Sequence, residues 1–98
     1  SVLYNFELMN IYLNRINVII NIEYRISNFE FVSLKVYDVL GNEIATLVNE
    51  EKQPGTYEVE FDASKFPSGI YFYQLKTGSP EINSGQRFIE TKKMVLIK

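Results

Sequence analysis

Glu58, Glu60 and Asp62 place three carboxylates at alternate positions of one short run. Paired carboxylates can act as catalytic acid and base, and clustered ones can hold calcium. A spacing of two, however, sets all three on a single solvated strand face, whereas a calcium loop gathers its oxygens around a turn. The hydroxyls of Ser33, Ser64 and Ser68 have nothing to activate them, because the chain contains no His and no Ser–Lys arrangement stands out. The absence of Cys removes thiol chemistry and disulfides. Gly41, Gly55 and Gly69 recur at intervals of 14 residues, without the tight grouping that cradles a phosphate, so turn geometry accounts for them. No catalytic grouping, metal site or cofactor is expected. The chain reads as an interaction module.

Two features are less bland. Tyr71 follows Gly69 by two residues, beyond Pro67. Sandwich domains place there a Tyr whose hydroxyl bonds back to upstream backbone, a stabilising role ahead of a binding one. Lys92 and Lys93, with Lys98, bring charge into the run from Met94 to Ile97. Such a strand end can guard an edge against aggregation or pair its backbone with a partner, and composition leaves both open.

The elements that must hold these residues are strands. With 98 residues the chain makes one domain, and 46% hydrophobic content gives it a core without staples. Seven Tyr and seven Phe favour strands, and a net charge of −2 with scattered Lys and Arg leaves no nucleic-acid footprint. No apolar run nears the ~20 residues of a membrane helix. Nothing at Ser1 resembles a signal peptide; if the domain is exported, its export signal lies on a segment attached in front.

Residues 18–26 alternate, with Ile20, Ile22, Tyr24 and Ile26 on one face. Residues 31–39 repeat the pattern with Val32, Leu34 and Val36 inward, and residues 40–43 form a Gly-containing turn. Strands are expected at 43–49 and 57–62, with a polar loop over 50–55 between them. Residues 70–75 are apolar on both parities, which predicts a central strand covered on both faces. A Pro/Gly corner after Phe61 should carry the chain between sheets. A loop over 77–86 precedes a last strand at 87–98, broken near residues 91–93. Residues 1–17 are read as an extended lead-in or edge strand, and 18–98 as the sandwich. The fold class is all-β, an immunoglobulin-like antiparallel β-sandwich of about seven strands. Pro54-Gly55-Thr56-Tyr57 weakly echoes Pro67-Ser68-Gly69-Ile70-Tyr71, as repeated turn chemistry.

Four of these stretches, in order, resemble a known family. They are residues 32–51 (VSLKVYDVLGNEIATLVNEE), 55–63 (GTYEVEFDA), 67–73 (PSGIYFY) and 90–98 (ETKKMVLIK). Together they look like the C-terminal sorting domain of type IX secretion (the Por system, type A), over residues 22–98. The resemblance implies a sandwich carried behind an N-terminal passenger and read by the outer-membrane translocon. It implies passage through the periplasm to the cell surface or beyond, and removal by a surface sorting peptidase in many members. Carried over by position, its recognition features fall on Gly41, Gly55, Pro67, Gly69, Tyr71, Lys92, Lys93 and Lys98.

The front departs from the pattern. The family's Tyr-Pro-Asn-Pro-Phe-Asn-Pro run corresponds to Tyr12 through Val18, with Leu13, Arg15 and Val18 at the proline positions. Without prolines this stretch can pair as a strand, leaving 18–20 as an exposed apolar run and inviting a homodimer through the edge. The alternative function is a cell-surface adhesion or carbohydrate-binding sandwich, which needs an exposed aromatic platform.

Overall fold

Successive side chains of a strand point to opposite faces, so the alternation in the sequence fixes which residues meet in the core. The computed structural model describes residues 6–14, 19–78 and 88–97, the first stretch by its backbone. Strand β1 spans Phe6–Asn14, β2 Ile19–Ile26, β3 Glu30–Asp38, β4 Glu43–Lys52, β5 Gly55–Asp62, β6 Gly69–Thr77 and β7 Ile89–Leu96. Side chains are described for the six strands β2 to β7. Two antiparallel sheets form, in the orders β1-β2-β5 and β4-β3-β6-β7. The second and fifth strands thus lie in one sheet and the third, sixth and seventh in the other, the immunoglobulin-like arrangement.

The core lies between the sheets. From the three-stranded sheet come Ile20, Ile22, Tyr24, Ile26 and Phe61, and from the four-stranded sheet Val32, Leu34, Val36, Tyr71, Tyr73 and Leu75. Each fully buried Leu, Ile or Val contributes roughly 1.5–3 kcal/mol relative to exposure. The ring of Tyr24 stacks on that of Tyr57 at 5.4 Å. Burial, with help from Tyr57 and Glu50, pushes the Tyr24 hydroxyl from 10.0 up to about 12. Burial, then Glu90, raises Tyr73 as well. The unfolded chain therefore releases these protons at lower pH than the folded one. Stability should be intact below pH 10 and fall as pH rises through the folded value of about 12. Urea midpoints across that range should show a shallower decline for Tyr24→Phe than for the parent.

Several expectations give way to the sheet. Strand β6 is central, paired with β3 and β7, but its covering is one-sided: Tyr71, Tyr73 and Leu75 are buried while Phe72 and Gln74 are half-exposed and Ile70 is exposed. A central strand has backbone partners on both edges; only helices or a third layer would cover its outer face. Residues 50–52 are not loop but the end of β4, with Glu50, Glu51 and Lys52 opposite Val32, Phe31 and Glu30. The last strand runs unbroken through Lys92 and Lys93, and it alternates at its end, with Met94 and Leu96 buried and Val95 and Ile97 exposed. Thr77 closes β6 in the interior, its N–H donating to the Phe88 carbonyl at 3.0 Å.

At the front, Leu13 lies opposite Ile20 and Asn14 opposite Ile19, so proline would stand inside a ladder here. The described part of the apolar run is not exposed: Ile20 belongs to the core and Ile19 is half-buried. Arg15 and Val18 lie outside the described residues.

Candidate functional site

The β3–β4 hairpin is built from its own sequence. Strand β3 stops at Asp38, and the Gly41 N–H donates to the Asp38 carbonyl at 3.0 Å, closing a turn over Val39 and Leu40. Gly41 then takes φ 89°, a left-handed conformation that L side chains resist, as in three-residue hairpin loops. The Asp38 carboxylate accepts from the Leu40 N–H at 3.0 Å, the Asn42 N–H at 2.9 Å and the Asn42 side-chain amide at 3.1 Å. The turn is therefore centred two residues earlier than the sequence reading of 40–43, because a carboxylate at 38 satisfies the loop's amides.

These bonds, led by the Asn42 N–H, hold the Asp38 carboxyl below its ordinary value of 3.8. The hairpin's carboxylate contribution is thus present above that value and is lost as pH falls through the folded one. Stability measured between pH 5 and 2 should fall on this account, and Asp38→Asn should flatten that part of the curve.

The second element is the corner from β5 to β6, which carries the chain from the three-stranded to the four-stranded sheet. Tyr71 is 5% exposed, and its hydroxyl donates to the Pro67 carbonyl at 2.6 Å, the back-bond anticipated from its position after Gly69. Phe66 lies between Phe61 (5.6 Å, stacked) and Tyr71 (6.4 Å, edge-on), filling the inside of the bend. Asp38 is directly opposite Tyr71 across β3 and β6, so hairpin and corner adjoin. Between them lies a groove of about 300 Å³, lined by the hairpin residues 38–40 with Ile44, Phe66, Pro67, Ile70 and Tyr71. Gly69 is opposite Leu96, so the end of β7 reaches the same place.

This surface offers shape and apolar contact, with no group of His, Cys, Asp or Glu among the described residues that could hold a metal ion. Comparison with known families gives it a context: residues 10–96 match the model of a secretion system C-terminal sorting domain. The chain belongs to that family. No curated protein and no solved structure is a match to it. As a family member it is a C-terminal sorting signal for type IX secretion, carried by an N-terminal passenger and directing export to the cell surface or extracellular space. The family is not one of enzymes.

Not every residue singled out from the sequence lies at this end of the sorting domain. Gly41, Pro67, Gly69 and Tyr71 are brought together there. Gly55 opens β5 opposite Ile26, at the other end of the sandwich. Lys92 and Lys93 stand midway along β7, an edge strand, opposite Tyr73 and Phe72. Lys93 faces outward and is exposed; Lys92 and Glu90 take the inward parity and are half-buried. Charges turned inward on an edge strand discourage further pairing, which favours the guarding role for Lys92. Lys98 lies outside the described residues.

Two side chains that hold these elements in place escape the sequence reading. Asp38 does so because a lone Asp at a strand end is commonplace; its signal is the Asn four residues on, after a Gly. The other is Tyr57, whose hydroxyl donates to the Gln53 carbonyl at 2.6 Å, with the same four-residue reach as Tyr71 to Pro67. Gly55 and Gly69, each two residues before its Tyr, share φ 158°. The echo between Pro54-Gly55-Thr56-Tyr57 and the later corner is thus one latch used twice, at both crossings that flank β5.

Proposed function

We propose that the folded sandwich is read by the type IX outer-membrane translocon after the passenger has crossed the inner membrane and entered the periplasm. A surface sorting peptidase then removes the domain. The unit read is the sandwich of residues 18–98 together with its lead-in, and its recognition features are Gly41, Gly55, Pro67, Gly69, Tyr71, Lys92, Lys93 and Lys98. The observation that carries this reading is the groove where hairpin and corner meet, with the end of β7 paired to Gly69 beside it, within a chain that belongs to the sorting family. Recognition works by surface complementarity and strand edges.

The test fuses residues 1–98 behind a fluorescent passenger in a type IX-competent host. Surface delivery that disappears on deleting residues 91–98 supports the reading, and delivery indifferent to that deletion removes it. The described residues offer the adhesion alternative little support: Phe29 is the one aromatic among their large exposed apolar side chains. The proposal extends to self-association, because β1 is an edge of the three-stranded sheet, with β2 as its one strand neighbour among the described residues. A strict monomer in sedimentation at high concentration removes that part.

A further inference from the structure

The family-pattern residues gathered at the corner end are poorly placed to be touched. Tyr71 is buried and its hydroxyl is already bonded, while Gly41 has no side chain and serves the turn. What this end presents to solvent is different. Leu40 is 84% exposed and Val39 65%, both at the hairpin tip. Ile70 (42%) and Val95 (58%) are cross-strand partners on the outer face, and Ile97 (75%) follows β7. Five of the seven large apolar side chains exposed among the described residues therefore lie at one end. An exposed apolar cluster of this kind on a stable domain marks a contact surface.

We infer that this apolar tip, anchored by Leu40, is the part gripped by the secretion machinery, and that Gly41, Pro67, Gly69 and Tyr71 act by positioning it. The inference rests on the translocon reading above and names its contact residues. A projecting aliphatic tip is enclosed only by a concave apolar recess. Charge specifies the rim of that recess. Nearby carboxylates are engaged, Asp38 by the hairpin amides and Glu43 by Thr46 at 2.8 Å and Lys35 at 3.1 Å. Lys93, two residues before Val95 on the same face, and Lys65 in the corner make no ion pair among the described residues. The partner's recess accordingly carries an acidic rim. Five side chains are few beside the roughly 20–30 residues a side of a stable flat interface, which favours a recess over a second copy.

The test introduces Leu40→Asp and, separately, Val39→Asp into the passenger fusion. Both side chains point into water, so the purified variants should melt with the parent. Surface delivery of Leu40→Asp should fall about tenfold or more, the loss expected when one buried anchor leaves an interface. Leu40→Met should restore it, and Lys65→Glu with Lys93→Glu should lower it. Parental delivery by Leu40→Asp, with removal of the whole domain still abolishing export, overturns the inference and leaves the reading standing. Export indifferent to removal of the domain ends both. Dissociation of a purified dimer by Leu40→Asp, or Leu40-dependent binding to phosphatidylglycerol vesicles, also overturns it by assigning the tip to another occupant.

Discussion

Leu34→Ala should lower the unfolding free energy by about 3 kcal/mol, within the range of roughly 2–5 kcal/mol for emptied core sites. Leu34 is fully buried at the centre of the four-stranded sheet, between Val48 of β4 and Leu75 of β6. Its strand is held by hydrogen bonds along both edges, so the backbone cannot close on the cavity and most of the cost should be realised. For a domain near 100 residues, that loss corresponds to a melting temperature lower by roughly 12–24 °C. Total stabilities run at about 5–15 kcal/mol, so the variant would sit close to the threshold at growth temperature, and delivery of its passenger should fail there before it fails in the cold. Leu40→Ala is the matched control, with the same atoms removed from an exposed tip, and its stability should stay within about 0.5 kcal/mol of the parent. Chemical denaturation of both variants checks the pair. A loss below about 1 kcal/mol for Leu34→Ala would mean that the sheets do not pack around this residue.

The inward set of β3 was legible because Val32, Leu34 and Val36 alternate with polar neighbours, and the same holds for Ile20 to Ile26. Where alternation fails, so does the reading. Glu50, Glu51 and Lys52 look like loop because β4 is an edge strand whose end carries little side-chain burial. What makes it strand is the ladder to Glu30, Phe31 and Val32, a pairing that no local pattern encodes. In β6 the opposite occurs: Ile70 and Phe72 suggest a second buried face, yet they look outward on a two-layer fold. Apolar residues on an outer face are the mark of a surface with something to meet, and the sequence alone cannot separate that from burial.

The candidate site divides in the same manner. The bond from Tyr71 to Pro67 is local, spanning four residues, so spacing after a Pro/Gly corner was enough to anticipate it. The juxtaposition of that corner with the hairpin depends on β3 pairing with β6 in one register, Asp38 against Tyr71. That register is set by which residues face the core, not by any motif. The distinction between residues that form the surface and residues that hold it therefore becomes visible only in the fold.

Tyr71 offers the sharpest separation of those two roles. Tyr71→Ala removes from the four-stranded sheet a buried ring that packs edge-on against Phe66 and should lower stability by about 3–5 kcal/mol, as for other large aromatics. Tyr71→Phe keeps the ring and removes only the donor to the Pro67 carbonyl, which lies part-buried in the corner. It should lose about 1–1.5 kcal/mol, because water reaches the orphaned acceptor incompletely. Tyr57→Phe breaks the twin bond to Gln53 at a more exposed site and should lose about 0.5–1 kcal/mol. If Tyr71 acts by holding the tip, export should follow stability across the three variants, and Tyr71→Phe should deliver its passenger nearly as well as Tyr57→Phe at a temperature where both are folded. If the hydroxyl were itself read by the machinery, Tyr71→Phe would lose delivery while its melting curve stayed close to that of Tyr57→Phe. Parallel melting and surface-delivery measurements on the same fusions decide between the two, and a delivery defect without a matching stability defect would remove Tyr71 from the positioning set.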